Sequence, residues 1–122
     1  HVPHRHALSD LVADMGVGRA CSLAGMFLEN LAPGLATIEA AARAGDHDAL
    51  AQAAHHLKGA AGNFGLTQLV AYLEEIESLA RLGPSARLET CLQALPSAVE
   101  ESRLAIVAAL DQLGPGLNQA AQ

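Results

Sequence analysis

Along almost the whole chain, apolar residues recur three and four positions apart, and only short turns interrupt them. That spacing is the period of an α-helix with one buried face. Hydrophobic residues make up 51% of the chain but aromatics only 2%, so alanine and leucine must build the core. Both are strong helix formers, and strand-forming aromatics are nearly absent. The chain is therefore expected to be all-α, and 122 residues suffice for one domain with one core.

Residues 1–7 read as a linker, with His1, His4 and His6 on an unanchored tail that would hold a metal poorly. A short helix follows, with Leu8, Leu11, Val12 and Met15 on one face, broken by Gly16-Val17-Gly18. From Arg19 to Ala44, Leu23, Phe27, Leu31, Leu35, Ile38 and Ala42 keep helical spacing. Pro33 removes the hydrogen bond to the carbonyl of Glu29, so a kink is expected there. Gly45 ends this helix and Asp46 can cap the next, with His47 in the turn. The third long stretch ends near Gly65, where Thr67 can cap a helix carrying Leu69, Leu73, Ile76 and Ala80, with Glu74, Glu75 and Glu77 on its exposed side. After Gly83-Pro84, Ser85 can start a last helix carrying Leu88, Leu92, Leu95, Val99, Ile106, Leu110 and Leu113. Pro96 should kink it, and Gly114-Pro115-Gly116 should end it, leaving residues 114–122 as a tail. Short loops make neighbouring helices antiparallel. The expected fold is an up-down-up-down four-helix bundle over residues 8–113 with a short extra N-terminal helix.

The stretch that carries chemistry is Ala54-His55-His56-Leu57-Lys58-Gly59-Ala60-Ala61-Gly62-Asn63-Phe64-Gly65. With Leu50, Ala53, Leu57, Ala61 and Phe64 forming the buried stripe, His55 falls on the opposite, watered face. Lys58, Gly59 and Gly62 share that face within about 60° of His55. Two glycines inside a helix cost about 1 kcal/mol each against alanine. A helix that accepts this on one face needs that face clear for a large partner. A neutral imidazole is a good nucleophile near pH 7 and can hold a phosphoryl group as a phosphoramidate. Lys58 supplies a cation one turn away for the developing charge. His56 lies about 100° around the helix, at the edge of the stripe. The two histidines point apart, which argues against a metal shared between them.

The net charge of -6 argues against a nucleic-acid partner. No apolar run approaches the ~20 residues that span a bilayer, and no signal peptide is visible, so no direct membrane contact is expected. Cys21 and Cys91 form no metal pattern and read as reduced thiols of a cytoplasmic protein.

The run His55-His56-Leu57-Lys58-Gly59-Ala60-Ala61-Gly62-Asn63-Phe64-Gly65 resembles the histidine-containing phosphotransfer (HPt) domain family. So do Phe27-Leu28, Leu31-Ala32-Pro33, Leu35, Ile38 and Ala44-Gly45-Asp46 upstream, and Leu73-Glu74-Glu75-Ile76-Glu77 downstream. The resemblance spans about residues 8–113. It implies a phosphoryl carrier in a multistep two-component phosphorelay, with His55 as acceptor. Its partners would be receiver domains, whose phospho-aspartate gives the group to His55 and whose second member takes it on. Mg²⁺ is expected in the receiver and no cofactor in this domain, which has no ATP site. In relatives a glutamine or similar polar residue on the next helix orients the imidazole; Glu77 stands at that position here. A carboxylate there could accept from Nδ1–H and leave Nε2 as the nucleophile. The absence of a starting Met and the residues after Leu113 suggest the C-terminal module of a hybrid sensor histidine kinase, monomeric when isolated. It would then sit at the cytoplasmic end of a membrane-anchored kinase. The rival reading is a helical adaptor that binds a partner through an Ala51-Gly59-Gly62 face and needs no imidazole. A dimeric histidine kinase core is a further rival, but it requires an ATP-binding domain with glycine-rich boxes, and none is present.

Overall fold

The computed structural model describes residues 8–121, with side chains for residues 8–113. It contains five helices and, among the described residues, no strand. The order is α1 (Ser9–Met15), α2 (Val17–Ala44), α3 (His47–Gly62), α4 (Thr67–Leu82) and α5 (Ala86–Ala121). Helices α2, α3, α4 and α5 each pack on their neighbours in sequence, and α5 closes the ring against α2. Among the described residues, no diagonal pair of helices approaches closely. This is the expected four-helix bundle, with α1 laid along α2 alone. The linker expected at residues 1–7, with His1, His4 and His6, lies outside the described residues.

Local chemistry sets most boundaries. Gly45 closes α2 in the left-handed conformation at φ 70°, and the Asp46 carboxylate accepts from the backbone N–H of Ala49 at 3.0 Å to start α3. The Ser85 hydroxyl accepts from the backbone N–H of Leu88 at 3.1 Å at the start of α5. Two expected stops and starts fall elsewhere. Thr67 is the first residue of α4 and not its cap; Leu66 precedes the helix and offers no side-chain acceptor. Helix α5 does not end at Gly114-Pro115-Gly116 but continues to Ala121. Proline withholds one donor, yet its fixed φ suits a helix, so the backbone can pass through it. Pro33 and Pro96 are likewise inside unbroken helices. His47 is the first residue of α3, its Nδ1 3.0 Å from the Gly45 carbonyl oxygen.

The core is built from Leu31, Ile38, Leu50, Leu69, Leu73, Ile76, Leu95 and Ile106, all almost fully buried, with alanines between them. Phe27 of α2 and Phe64 just after α3 meet at 4.8 Å between ring centroids. In α2 the buried face runs through Ala20, Ala24, Phe27 and Leu31, which turns Leu23 out to 40% exposure, contrary to its expected place in the stripe. In α3 the core takes Leu50, Ala51, Ala54, Leu57 and Ala61. Ala53, expected there, is only half-buried. Both cysteines are free. Cys91 is buried, and burial together with the neighbouring Glu75 carboxylate pushes its thiol up, away from a reactive thiolate.

Candidate functional site

The shift of the buried face in α3 decides where His55 stands. With about 100° per residue, the centre of Leu50, Ala51, Ala54, Leu57 and Ala61 lies roughly 115° from His55, and not opposite it. His55 is therefore on the shoulder of α3. Its side chain is 66% exposed.

From that shoulder it meets Glu77 of α4. The His55 Nδ1 lies 3.1 Å from Oε2 and 3.2 Å from Oε1 of Glu77. Glu77 was expected on the exposed side of its helix, but its side chain is only 12% exposed. It is enclosed because two cations close over it. Lys58 Nζ donates to Oε1 at 2.8 Å, and Arg81 donates from a terminal guanidinium nitrogen to Oε2 at 2.9 Å. The carboxylate thus receives three side-chain donors.

These donors hold its pKa down to about 2, chiefly through the hydrogen bonds from Lys58 and Arg81, against the opposing effect of burial and with a smaller contribution from His55. Glu77 is accordingly ionised at neutral pH and can only accept. The contact with His55 then requires the proton on Nδ1, which leaves the lone pair on Nε2. With one carboxylate against Lys58 and Arg81, the cluster carries a net positive charge when the imidazole is neutral.

Gly59 and Gly62 are exposed, and a Cβ built on either would meet nothing within 4 Å. Among the described residues, no packing calls for glycine at these positions. Gly34 is the contrast: a Cβ there would press on the Leu57 side chain at 3.3 Å. Ala51 is not part of the open face. It is fully buried, because the core centre lies on its side of α3, and it cannot touch a partner.

His56 is exposed and leans the other way, towards α2. It borders an apolar cleft with Met15, Leu23, Met26, Phe27 and Phe64 among its walls. It shares no ligand geometry with His55, and among the described residues no cluster of His, Cys, Asp or Glu suits a metal ion. The structure thus brings His55, Lys58 and Glu77 together with Gly59 and Gly62 beside them, and excludes Ala51. Arg81 is a member that the sequence reading missed. The available signal was its place four residues after Glu77, the spacing of a helix ion pair.

A histidine with one nitrogen tied to a carboxylate, a largely exposed side chain and two cations at hand has the chemistry that a group carrier needs. No curated protein matches the sequence. The family model of the Hpt domain matches residues 22–113. Among solved structures the chain is similar to the histidine-containing phosphotransfer protein B (HptB) of Pseudomonas aeruginosa PAO1. The two are 26% identical, with a TM-score of 0.81, over 92% of this chain and 98% of that one. The chain belongs to the Hpt domain family. It is a phosphotransfer carrier of a phosphorelay and not a kinase. No described helix is long and apolar enough to cross a membrane.

Proposed function

We propose that His55 is the phosphoacceptor, taking a phosphoryl group from the aspartate of one receiver domain and giving it to that of another. The observation that carries this is the contact between His55 Nδ1 and the ionised Glu77 carboxylate. The Nε2 lone pair attacks phosphorus, the N–P bond forms, and the bond to the aspartyl oxygen breaks with its electron pair going to the leaving carboxylate. The Nδ1 proton stays where it is. The phosphorylated ring is then cationic, and the Glu77 carboxylate offsets that charge across the hydrogen bond. Because the ring remains protonated, it is also a good leaving group for the return step. Lys58, one turn along α3 from His55, reaches a phosphoryl oxygen from its flexible stem. Gly59 and Gly62 leave the backbone bare for the receiver to approach.

Mg²⁺ belongs to the receiver, whose carboxylates suit it, and this domain needs no cofactor. The domain works as a monomer, and its setting is the cytoplasmic module of a hybrid sensor histidine kinase. The coding sequence upstream of His1 tests that setting. The chemistry is tested by incubating the domain with a phosphorylated receiver and Mg²⁺. One acid-labile, base-stable phosphoryl group per chain is expected, and His55→Gln should abolish it. A helical adaptor would instead keep its full activity in His55→Gln.

A further inference from the structure

Glu77 has two carboxylate oxygens and two cations, and the cations differ in what they can do. Lys58 is on α3, the helix that bears His55, and its ammonium sits on a long, rotatable stem. Arg81 is on α4, four residues after Glu77, and binds the oxygen that Lys58 does not. Its side chain is 58% exposed, so its guanidinium keeps water on one side while it holds the carboxylate. Glu77 is 12% exposed with both cations over it, so when one of them leaves, the other must hold the carboxylate in its orientation.

A phosphoryl group on Nε2 brings up to about two negative charges beside this carboxylate. A phosphoryl group that draws the Lys58 ammonium towards itself weakens the present 2.8 Å bond from Lys58 to Glu77. If Lys58 were the sole cation, its move to the phosphoryl group would leave an uncovered carboxylate facing a second anion. Glu77 would then swing away into water, and the Nδ1–H would lose its acceptor.

We infer that Arg81 is a positioning residue that keeps Glu77 in place as the acceptor of the His55 Nδ1–H when Lys58 transfers to the phosphoryl group. This rests on His55 being the phosphoacceptor. Arg81 acts through Glu77 and does not touch the phosphoryl group, so it is required in the loaded state and dispensable for imidazole orientation in the unloaded one.

The test follows the His55 ring nitrogens by ¹⁵N NMR in Arg81→Ala and Arg81→Lys, before and after loading from a phosphorylated receiver. Transfer onward to a second receiver is measured in parallel. In unloaded Arg81→Ala, the Nδ1–H form is expected as in the wild type, because Lys58 still holds Glu77. After loading, the Nδ1–H signal should broaden or shift towards exchange with water, and onward transfer should slow by about tenfold. Arg81→Lys should recover a large part of both. A merely structural role for Arg81 would change the unloaded and loaded spectra alike and lower the melting midpoint, which overturns the inference. So does a loaded Arg81→Ala protein with wild-type ring signals and onward rate. The underlying reading fails by a different sign, uptake of label by His55→Gln.

Discussion

The Glu77 carboxylate faces the imidazole of His55 with both oxygens, 3.1 and 3.2 Å from Nδ1, across the line between α4 and α3. One contact between two helices selects the tautomer of the histidine that shares a face with Gly59 and Gly62. The cations Lys58 and Arg81 hold that carboxylate in place and keep its pKa low.

The depressed pKa of Glu77 ties stability to pH in one direction. Its folded value, about 2, lies below its ordinary 4.5. The charged carboxylate therefore stabilises the fold in full above pH 4.5, and that contribution is lost as pH falls towards 2. Comparing the wild type with Glu77→Gln cancels the other carboxylates. The melting midpoint of the wild type should exceed that of the variant at neutral pH, and the gap should close between those two values.

Glu77 also separates orientation from charge. The amide oxygen of Glu77→Gln can still accept from Nδ1–H, so this variant should take up a phosphoryl group. Glu77→Ala removes the acceptor and should slow uptake by about 10- to 100-fold. Single-turnover transfer from a phosphorylated receiver measures both.

Lys58 is not a solvated surface charge, since its side chain is 24% exposed and paired with Glu77. Lys58→Ala should lower the stability by no more than about 1 kcal/mol, because Arg81 still holds the carboxylate. Phosphorylation should fall by about tenfold or more, in line with a lost charge-assisted bond of roughly 1.5–3 kcal/mol. Circular dichroism melting and the rate of label uptake separate the two effects.

Gly59 offers a test of the open face. Nothing lies within 4 Å of a Cβ there, so Gly59→Gln should fold and gain up to about 1 kcal/mol of helix stability. Receiver-to-domain transfer should slow sharply as the side chain blocks the approach. Wild-type transfer in the folded variant would show that this face is not the docking surface. Gly34 should behave oppositely: a bulky residue must displace Leu57 and should lower the melting midpoint.

Transfer should require Mg²⁺, and calorimetric titration of this domain alone should show no stoichiometric Mg²⁺ site of micromolar affinity. The Glu77 carboxylate already accepts from Lys58, Arg81 and His55 and has little to offer a cation that demands near-octahedral oxygen ligands.

Much of this protein was legible in its residues. The three-and-four spacing gave the helices, and Gly45-Asp46 and Ser85 marked their ends through bonds that form within four residues of chain. The face shared by His55, Lys58, Gly59 and Gly62 was legible too, because these residues lie on one helix, where angle alone relates them. What periodicity could not give was the centre of the buried face. It depends on how deeply α2 and α4 flank α3, and alanine is small enough to stand on either side of that boundary. Ala53 was expected inside and is half out; Ala51 was expected on the docking face and is buried. The same rotation brought His55 from the far side of its helix to the shoulder beside α4. Only tertiary packing could put Glu77, 22 residues away, against Nδ1 and bring Lys58 to the carboxylate that Arg81 reaches along α4, because no local spacing relates side chains on different helices.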